Sequence, residues 1–76
     1  MIFGAAGSIG SELYHQLLVD NTVFGFDIDE ARMYGLHEEY SYKGFSVDYR
    51  IGDIRNKETV EQVISEFKPE IIFHAA

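Results

Sequence analysis

The chain has no cysteine, no tryptophan and a single proline, and its 6 lysines and arginines are outnumbered by 13 aspartates and glutamates. Each shortage excludes something. Without cysteine there is no disulfide and no thiolate metal site, so neither can staple a small core. A net charge of −7 argues against nonspecific nucleic-acid binding, which needs a positive surface. The acids are spread along predicted helices, as on solvated faces. No apolar run approaches the roughly 20 residues of a membrane span. The first residues lack the basic and long apolar regions of a signal peptide, so a cytoplasmic location is the default expectation. The composition is globular rather than disordered. A chain of 76 residues is at most one small domain, however, and such a chain buries only about 60% of its unfolded surface.

What is present is periodic. Met1–Phe3 is a stub of apolar strand. Ser8 to about Val19 reads as a helix in which Ile9, Leu13 and Leu17, with Leu18 beside them, predict one buried stripe. Thr22–Phe26 is a short apolar strand ending in Asp27. Asp29 suits the N-cap of a second helix running to about Tyr40, with Met33, Leu36, His37 and Tyr40 on one side. Gly35 inside that helix costs about 1 kcal/mol against alanine. Ser41–Gly44 is a predicted turn. Phe45–Ile51 alternates strictly between apolar and polar, as in a strand with one wet face at a sheet edge. Gly52-Asp53 ends it. Asn56 can cap a third helix with Val60, Val63, Ile64 and Phe67 on one face, and Lys68-Pro69 stops it. Glu70–Ala76 is apolar without alternation, which predicts a strand buried on both faces. The order β-α-β-α-β-α-β predicts an α/β fold with a parallel sheet and right-handed crossovers. In a doubly wound sheet ordered 3-2-1-4, the third strand lies at the edge and the fourth inside, as their patterns require.

Three glycines, Gly4, Gly7 and Gly10, separate the first strand from the first helix. Glycines in that context serve three physical ends. They allow a tight turn tolerant of positive φ, a backbone free to approach a pyrophosphate, and a helix packed close to the strand. The helix N-terminus then offers free N–H groups and a positive dipole end to phosphates. Ser8 can give a hydroxyl to a phosphate or simply start the helix. Asp27 stands seventeen residues after Gly10 at the end of the second strand, where a carboxylate can accept from both adenosine ribose hydroxyls. It would repel a 2′-phosphate, which favours NAD over NADP, although the nearby Arg32 can hold such a phosphate. Asp27 can also be a plain turn or cap residue. Asp53, past the third strand, can accept from an adenine amino group, with Ile54 cradling the ring, or can merely lead into a helix. Ala75 and Ala76 are small enough for a cofactor to pass closely. His74 fits a strand-end polar group as well as a contact with the chemistry.

The segments GAAGSIGSEL (Gly4–Leu13), YGLHEE (Tyr34–Glu39), GDIR (Gly52–Arg55) and PEIIFHAA (Pro69–Ala76) together resemble the extended short-chain dehydrogenase/reductase family. Within it they are most similar to the polysaccharide-biosynthesis UDP-N-acetylglucosamine 4,6-dehydratases. Glu12 and a histidine joined directly to Ala75-Ala76 are the more diagnostic features. Phe3 departs from the pattern, which usually has threonine there. The resemblance implies the N-terminal half of a Rossmann sheet that binds NAD or NADP. Gly4, Gly7, Ser8, Ile9 and Gly10 would then lie along the pyrophosphate, Asp27 at the ribose, Asp53 and Ile54 at the adenine, and Ala75 and Ala76 beside the cofactor. It implies oxidation of a nucleotide sugar at C4, elimination of water across C5 and C6, and return of the hydride at C6. Another extended-family epimerase or reductase, or a non-catalytic cofactor-binding or oligomerising module, are the alternatives.

No catalytic residue is assigned. None of Tyr14, Tyr34, Tyr40, Tyr42 and Tyr49 has a lysine four residues on, so no Y-x-x-x-K is present. No metal site is expected either, because His37-Glu38 lacks a second histidine at zinc-helix spacing. Residues 1–76 are accordingly expected to be an NAD(P)-binding half-domain truncated at both ends, with the nucleotide-sugar partner held by further chain and a homo-oligomer as the assembly.

Overall fold

The computed structural model describes all 76 residues. Strands and helices alternate: β1 (Ile2–Phe3), α1 (Ser8–Leu17), β2 (Phe24–Asp27), α2 (Glu30–Tyr42), β3 (Asp48–Ile51), α3 (Lys57–Phe67) and β4 (Phe73–His74). All pairings are parallel and the sheet order is β3-β2-β1-β4, as expected. Phe3 lies opposite both Phe26 and His74, and Phe26 lies opposite Arg50. The C-terminal ends of the strands are therefore level, and the loops that follow them gather at one end of the sheet.

Side-chain alternation along the strands builds two cores. Ile2 joins Ala5, Tyr14, Leu18, Val23, Met33, Tyr40 and Val47 on the face covered by α1 and α2. Met1, Phe3 and Phe26 meet Val63 of α3 on the other face, with Phe24, Ile54, Val60, Ile64 and Phe67 against them. β2 shows the division most clearly. Phe24 and Phe26 point toward α3, whereas Gly25 between them leaves room for Tyr14 and Met33; a Cβ at Gly25 would lie 2.9 Å from the Tyr14 ring. Tyr14 is fully buried and its hydroxyl donates to the carbonyls of Val23 (3.1 Å) and Asp48 (3.2 Å), tying α1 to the starts of β2 and β3. Burial, then the charge of Asp48, pushes the Tyr14 phenol well above its ordinary range.

Caps follow the sequence. Asp29 accepts from the Arg32 N–H at the start of α2, and Asn56 accepts from the Thr59 N–H at the start of α3. Lys68 closes α3 in a left-handed conformation, φ 54°.

Four expectations need correction. The inward residues of α1 are Gly10, Tyr14 and Leu18, with Leu13 and Leu17 half-buried, while Ile9 is 68% exposed. The helical spacing is kept but its phase is one residue later, because Gly10 has to lie against the strand. α2 continues through Ser41 and Tyr42, so the turn comes later. Regular pairing in β3 covers only Asp48–Ile51, and Phe45 is 37% exposed. β4 is not buried on both faces: only Phe73–His74 pair, with β1 alone, and Ile71 and Ile72 are 64% and 46% exposed. A strand with one hydrogen-bonded neighbour is an edge strand, whatever its composition.

Two stability outcomes follow. Gly35 sits in α2 with no atom within 4 Å of an added Cβ, so Gly35→Ala should stabilise the fold by about 0.5–1 kcal/mol in urea unfolding. Tyr14→Phe strips the buried Val23 carbonyl and the partly buried Asp48 carbonyl of their shared donor and should cost about 1 kcal/mol in the same measurement.

Candidate functional site

At the C-terminal ends of the strands lies an open cleft of about 350 Å³, lined by Gly4, Gly7, Phe26, Asp27, Ile28, Gly52, Asp53, Ile54, Ala75 and Ala76. Its floor is set by Gly4. That residue has φ +79°, and a Cβ on it would come within 2.7 Å of the Ala76 nitrogen. Its N–H donates to the Phe26 carbonyl at 2.9 Å, and the Ala75 N–H donates to the Phe3 carbonyl at 2.9 Å. The loop after β1 is thereby held between β2 and β4.

The three glycines have separate roles. Gly4 provides the left-handed turn. Gly10 is buried in the first turn of α1, where a Cβ would collide with the Gly4 carbonyl oxygen. It sets the helix-to-strand distance and does not line the cleft. Gly7 needs neither positive φ nor unusual closeness: φ is −71°, and an added Cβ would meet only the Gly4 carbonyl oxygen, at 3.4 Å. It is the N-cap of α1 and lies at the cleft wall. Ser8 and Ile9 begin the helix, both exposed, and neither lines the cleft.

Asp27 connects the two loops of the site. One carboxylate oxygen accepts from the Ala6 N–H at 3.0 Å and the other from the Asp29 N–H at 2.9 Å. It is thus a turn residue and also a brace for the glycine loop. A carboxylate has about four acceptor sites, so each oxygen keeps one free for a further donor. The Asp27 carbonyl in turn receives the Gly52 N–H at 3.0 Å, which brings the β3 loop alongside. On the outer rim, Arg32 Nε lies 3.7 Å from Asp29, and its Nη1 donates to the Ala6 carbonyl at 3.5 Å.

Asp53 lies across the cleft, clasped by Arg55. Its carboxylate accepts from the Arg55 backbone N–H (2.9 Å), from Nη2 (2.7 Å) and from Nε. These side-chain and backbone hydrogen bonds hold its carboxyl down at about 2. Ile54 turns partly into the core beside Phe26 and Val63.

Seven of the ten sequence candidates therefore meet in one cleft: Gly4, Gly7, Asp27, Asp53, Ile54, Ala75 and Ala76. Sequence reasoning missed Phe26, Ile28 and Gly52. Gly52 had a signal, since a glycine ends the strand immediately before Asp53. A Cβ there would press into the Phe26 ring at 2.8 Å. Ile28, 64% exposed directly after Asp27, is an apolar residue at the cleft rim. His74 is exposed, its ring tilted 6.4 Å from that of Phe3. Phe3, where a threonine was the family pattern, is buried edge-on against Phe26 at 5.3 Å.

The clasp on Asp53 has a measurable consequence. Its folded-state carboxyl is depressed, so it contributes stability above its ordinary pKa, and that contribution is lost as pH falls from there through about 2. Carboxyl-carbon NMR should show Asp53 titrating at about 2, and Arg55→Ala should raise it toward the ordinary aspartate range, with the backbone N–H of residue 55 still holding it below that range.

Comparison with known proteins places this geometry. The sequence model of the family described as "Polysaccharide biosynthesis protein" matches residues 1–76. The whole chain is 33% identical to the capsular polysaccharide biosynthesis protein CapD of Staphylococcus aureus, 37% identical to a UDP-glucose 4-epimerase of Mycolicibacterium smegmatis, and 33% identical to the uncharacterized membrane protein MJ1061 of Methanocaldococcus jannaschii. It spans 14%, 24% and 22% of those proteins, respectively. No helix here is long and apolar enough to cross a membrane. The sheet order, the glycine loop between β1 and α1, and the match over every residue agree: the chain belongs to the polysaccharide biosynthesis protein family, within the extended short-chain dehydrogenases/reductases.

Proposed function

We propose that this chain is the NAD(P)-binding portion of a nucleotide-sugar 4,6-dehydratase of polysaccharide biosynthesis. One observation carries the cofactor part. α2 and α3 have side-chain caps and an acid in the first turn, Glu30 and Glu58, whereas α1 has neither. Its first intrahelical bond runs from the Ser11 N–H to the Gly7 carbonyl, at 2.8 Å. The preceding N–H groups of the first turn thus keep no intrahelical acceptor, and the N-cap Gly7 stands at the cleft wall. An uncapped helix end beside a glycine loop suits a pyrophosphate.

The rest of the cleft fits a dinucleotide of the kind the family implies. Asp27 keeps acceptor capacity for ribose hydroxyls while bracing the loop. Its charge opposes a 2′-phosphate, which favours NAD, with Arg32 at the same rim as the opposing influence. Asp53 and Ile54 take the adenine, and Ala75 and Ala76 allow close passage of the dinucleotide. When bound, a nicotinamide supplies reversible hydride acceptance, which oxidation at a sugar C4 requires. These residues bind and orient; the groups that hold the sugar and move its protons belong to the protein of which this chain is a part.

The dehydratase assignment is supported by the four family motifs and by the capsular polysaccharide relative. The relative named as a UDP-glucose 4-epimerase favours a second reading, a nucleotide-sugar epimerase.

Thermal melts followed by circular dichroism should shift upward with NAD more than with NADP. A ligand that binds only the folded state adds about 2.7 kcal/mol at 100 times its dissociation constant. Equal or no shift would count against the role given to Asp27 and the loop. With the parent protein, a 4-keto-6-deoxy nucleotide sugar is the expected product, and a C4 epimer would replace the dehydratase by the second reading.

A further inference from the structure

We infer that the outer edge of β3 is a self-pairing surface, where a second copy of this chain adds its own β3 antiparallel about Tyr49. The inference goes beyond the cofactor reading and does not depend on it. β3 hydrogen-bonds to β2 alone, so its other edge has no strand beside it. Gly52, just past the strand, turns its N–H inward to the Asp27 carbonyl at 3.0 Å. Backbone groups alternate in direction along a strand, so Asp48 and Arg50 also face β2, and the N–H and C=O groups of Val47, Tyr49 and Ile51 point outward. Such an edge is a template for another strand.

The sequence of the edge, VDYRI (Val47–Ile51), is self-complementary in charge. With each Tyr49 opposite its counterpart, Val47 of one copy meets Ile51 of the other, and Asp48 meets Arg50 twice. The Tyr49 pair and the two Val47–Ile51 pairs exchange backbone hydrogen bonds. The Asp48–Arg50 pairs are then the non-hydrogen-bonded ones, whose side chains stand closest. Opposite charges so placed attract, and like charges repel. Sliding the pairing by two residues puts Asp48 opposite Asp48 or Arg50 opposite Arg50. The charges therefore fix the register as well as the partner, and the partner that matches them is this same strand.

Both charges are available. Asp48 is exposed and enters none of the ion pairs within the chain. Arg50 Nη2 donates to Glu66 of α3 at 2.8 Å, and a guanidinium has further N–H donors for a second carboxylate. On the opposite face of the strand, Tyr49 and Ile51 line an open hollow with Glu30, Ala31 and Tyr34, and Tyr34 is 58% exposed. Apolar surface thus flanks the edge on the side away from the charges. The joined sheet would have eight strands, with the two cofactor clefts opening at opposite ends because the central strands run antiparallel.

Sedimentation equilibrium of the 76-residue chain tests this, with the fold of each variant checked by circular dichroism. The unmodified chain should form a dimer. Asp48→Arg and Arg50→Asp each set like charges opposite one another at two symmetry-related positions, and each should weaken the dimer about tenfold or more. The double variant Asp48→Arg/Arg50→Asp restores opposite charges across the edge and should recover most of that loss, although the bond to Glu66 stays broken. Ile72→Lys, on the apolar segment beside the β4 edge, should leave the dimer unchanged. The chain has no cysteine, so Tyr49→Cys gives a second readout that alters no charge. Residues at a hydrogen-bonded antiparallel pair lie about 5.5 Å apart at Cα, within reach of a disulfide. Tyr49→Cys should crosslink to its counterpart under mild oxidation, and Glu61→Cys on the exposed side of α3 should not. A monomer at all concentrations, a dimer indifferent to the two single charge variants, a double variant as weak as the single ones, or equal crosslinking at both cysteines overturns the inference. Loss of the dimer in Ile72→Lys alone overturns it in favour of the β4 edge.

Discussion

The contact between Gly10 and the Gly4 carbonyl governs the rest of the molecule. Helix α1 can approach β1 this closely only because no Cβ stands between them. That approach fixes the helix phase and so drives Tyr14 inward, where its hydroxyl reaches the starts of β2 and β3. It also fixes where the N-terminus of α1 ends up: level with the C-terminal ends of the strands. A wider separation would leave Tyr14 short of both carbonyls and the cleft without its helix wall.

Small residues recur wherever backbones or rings must approach. Gly4 makes way for Ala75 and Ala76, Gly25 for Tyr14 and Met33, and Gly52 for Phe26. The two cores that result are unequal in kind. The α1/α2 side is built on Tyr14, Met33 and Tyr40, and the α3 side on Phe3, Phe26 and Val63. Aromatic edges fill the second, with Phe24 and Phe67 at 4.9 Å and Phe3 and Phe26 at 5.3 Å. The sheet between them is one layer deep, so every loop at its C-terminal end is within reach of the same cleft.

Charge at that cleft is arranged by hydrogen bonds rather than by burial. Asp27 is held by two backbone N–H groups, Asp29 is occupied as the cap of α2, and Asp53 is occupied by Arg55. Three acids near one opening would repel an anionic ligand if all stood free. Backbone donors and one guanidinium offset that repulsion, and the uncapped end of α1 supplies positive character on the opposite wall.

The order of elements, the parallel sheet, the caps at Asp29 and Asn56 and seven of the cleft residues were legible in the sequence, because periodicity, glycine spacing and cap chemistry are local properties of the chain. The phase of α1 was not: Ile9 and Tyr14 both suit a buried stripe, and only the close approach at Gly10 chooses between them. The extent of β4 was not either: Glu70–Ala76 reads as one apolar strand, yet only Phe73–His74 pair. Nor were the cleft roles of Phe26, Ile28 and Gly52, or the double duty of Asp27. Each depends on which loops the sheet brings side by side, and pairing between distant positions leaves no local mark; the Ala6–Asp27 bond joins positions 21 apart. Sequence alone thus determined which elements form and which residue types can meet a dinucleotide, and tertiary structure decided which of them face one another.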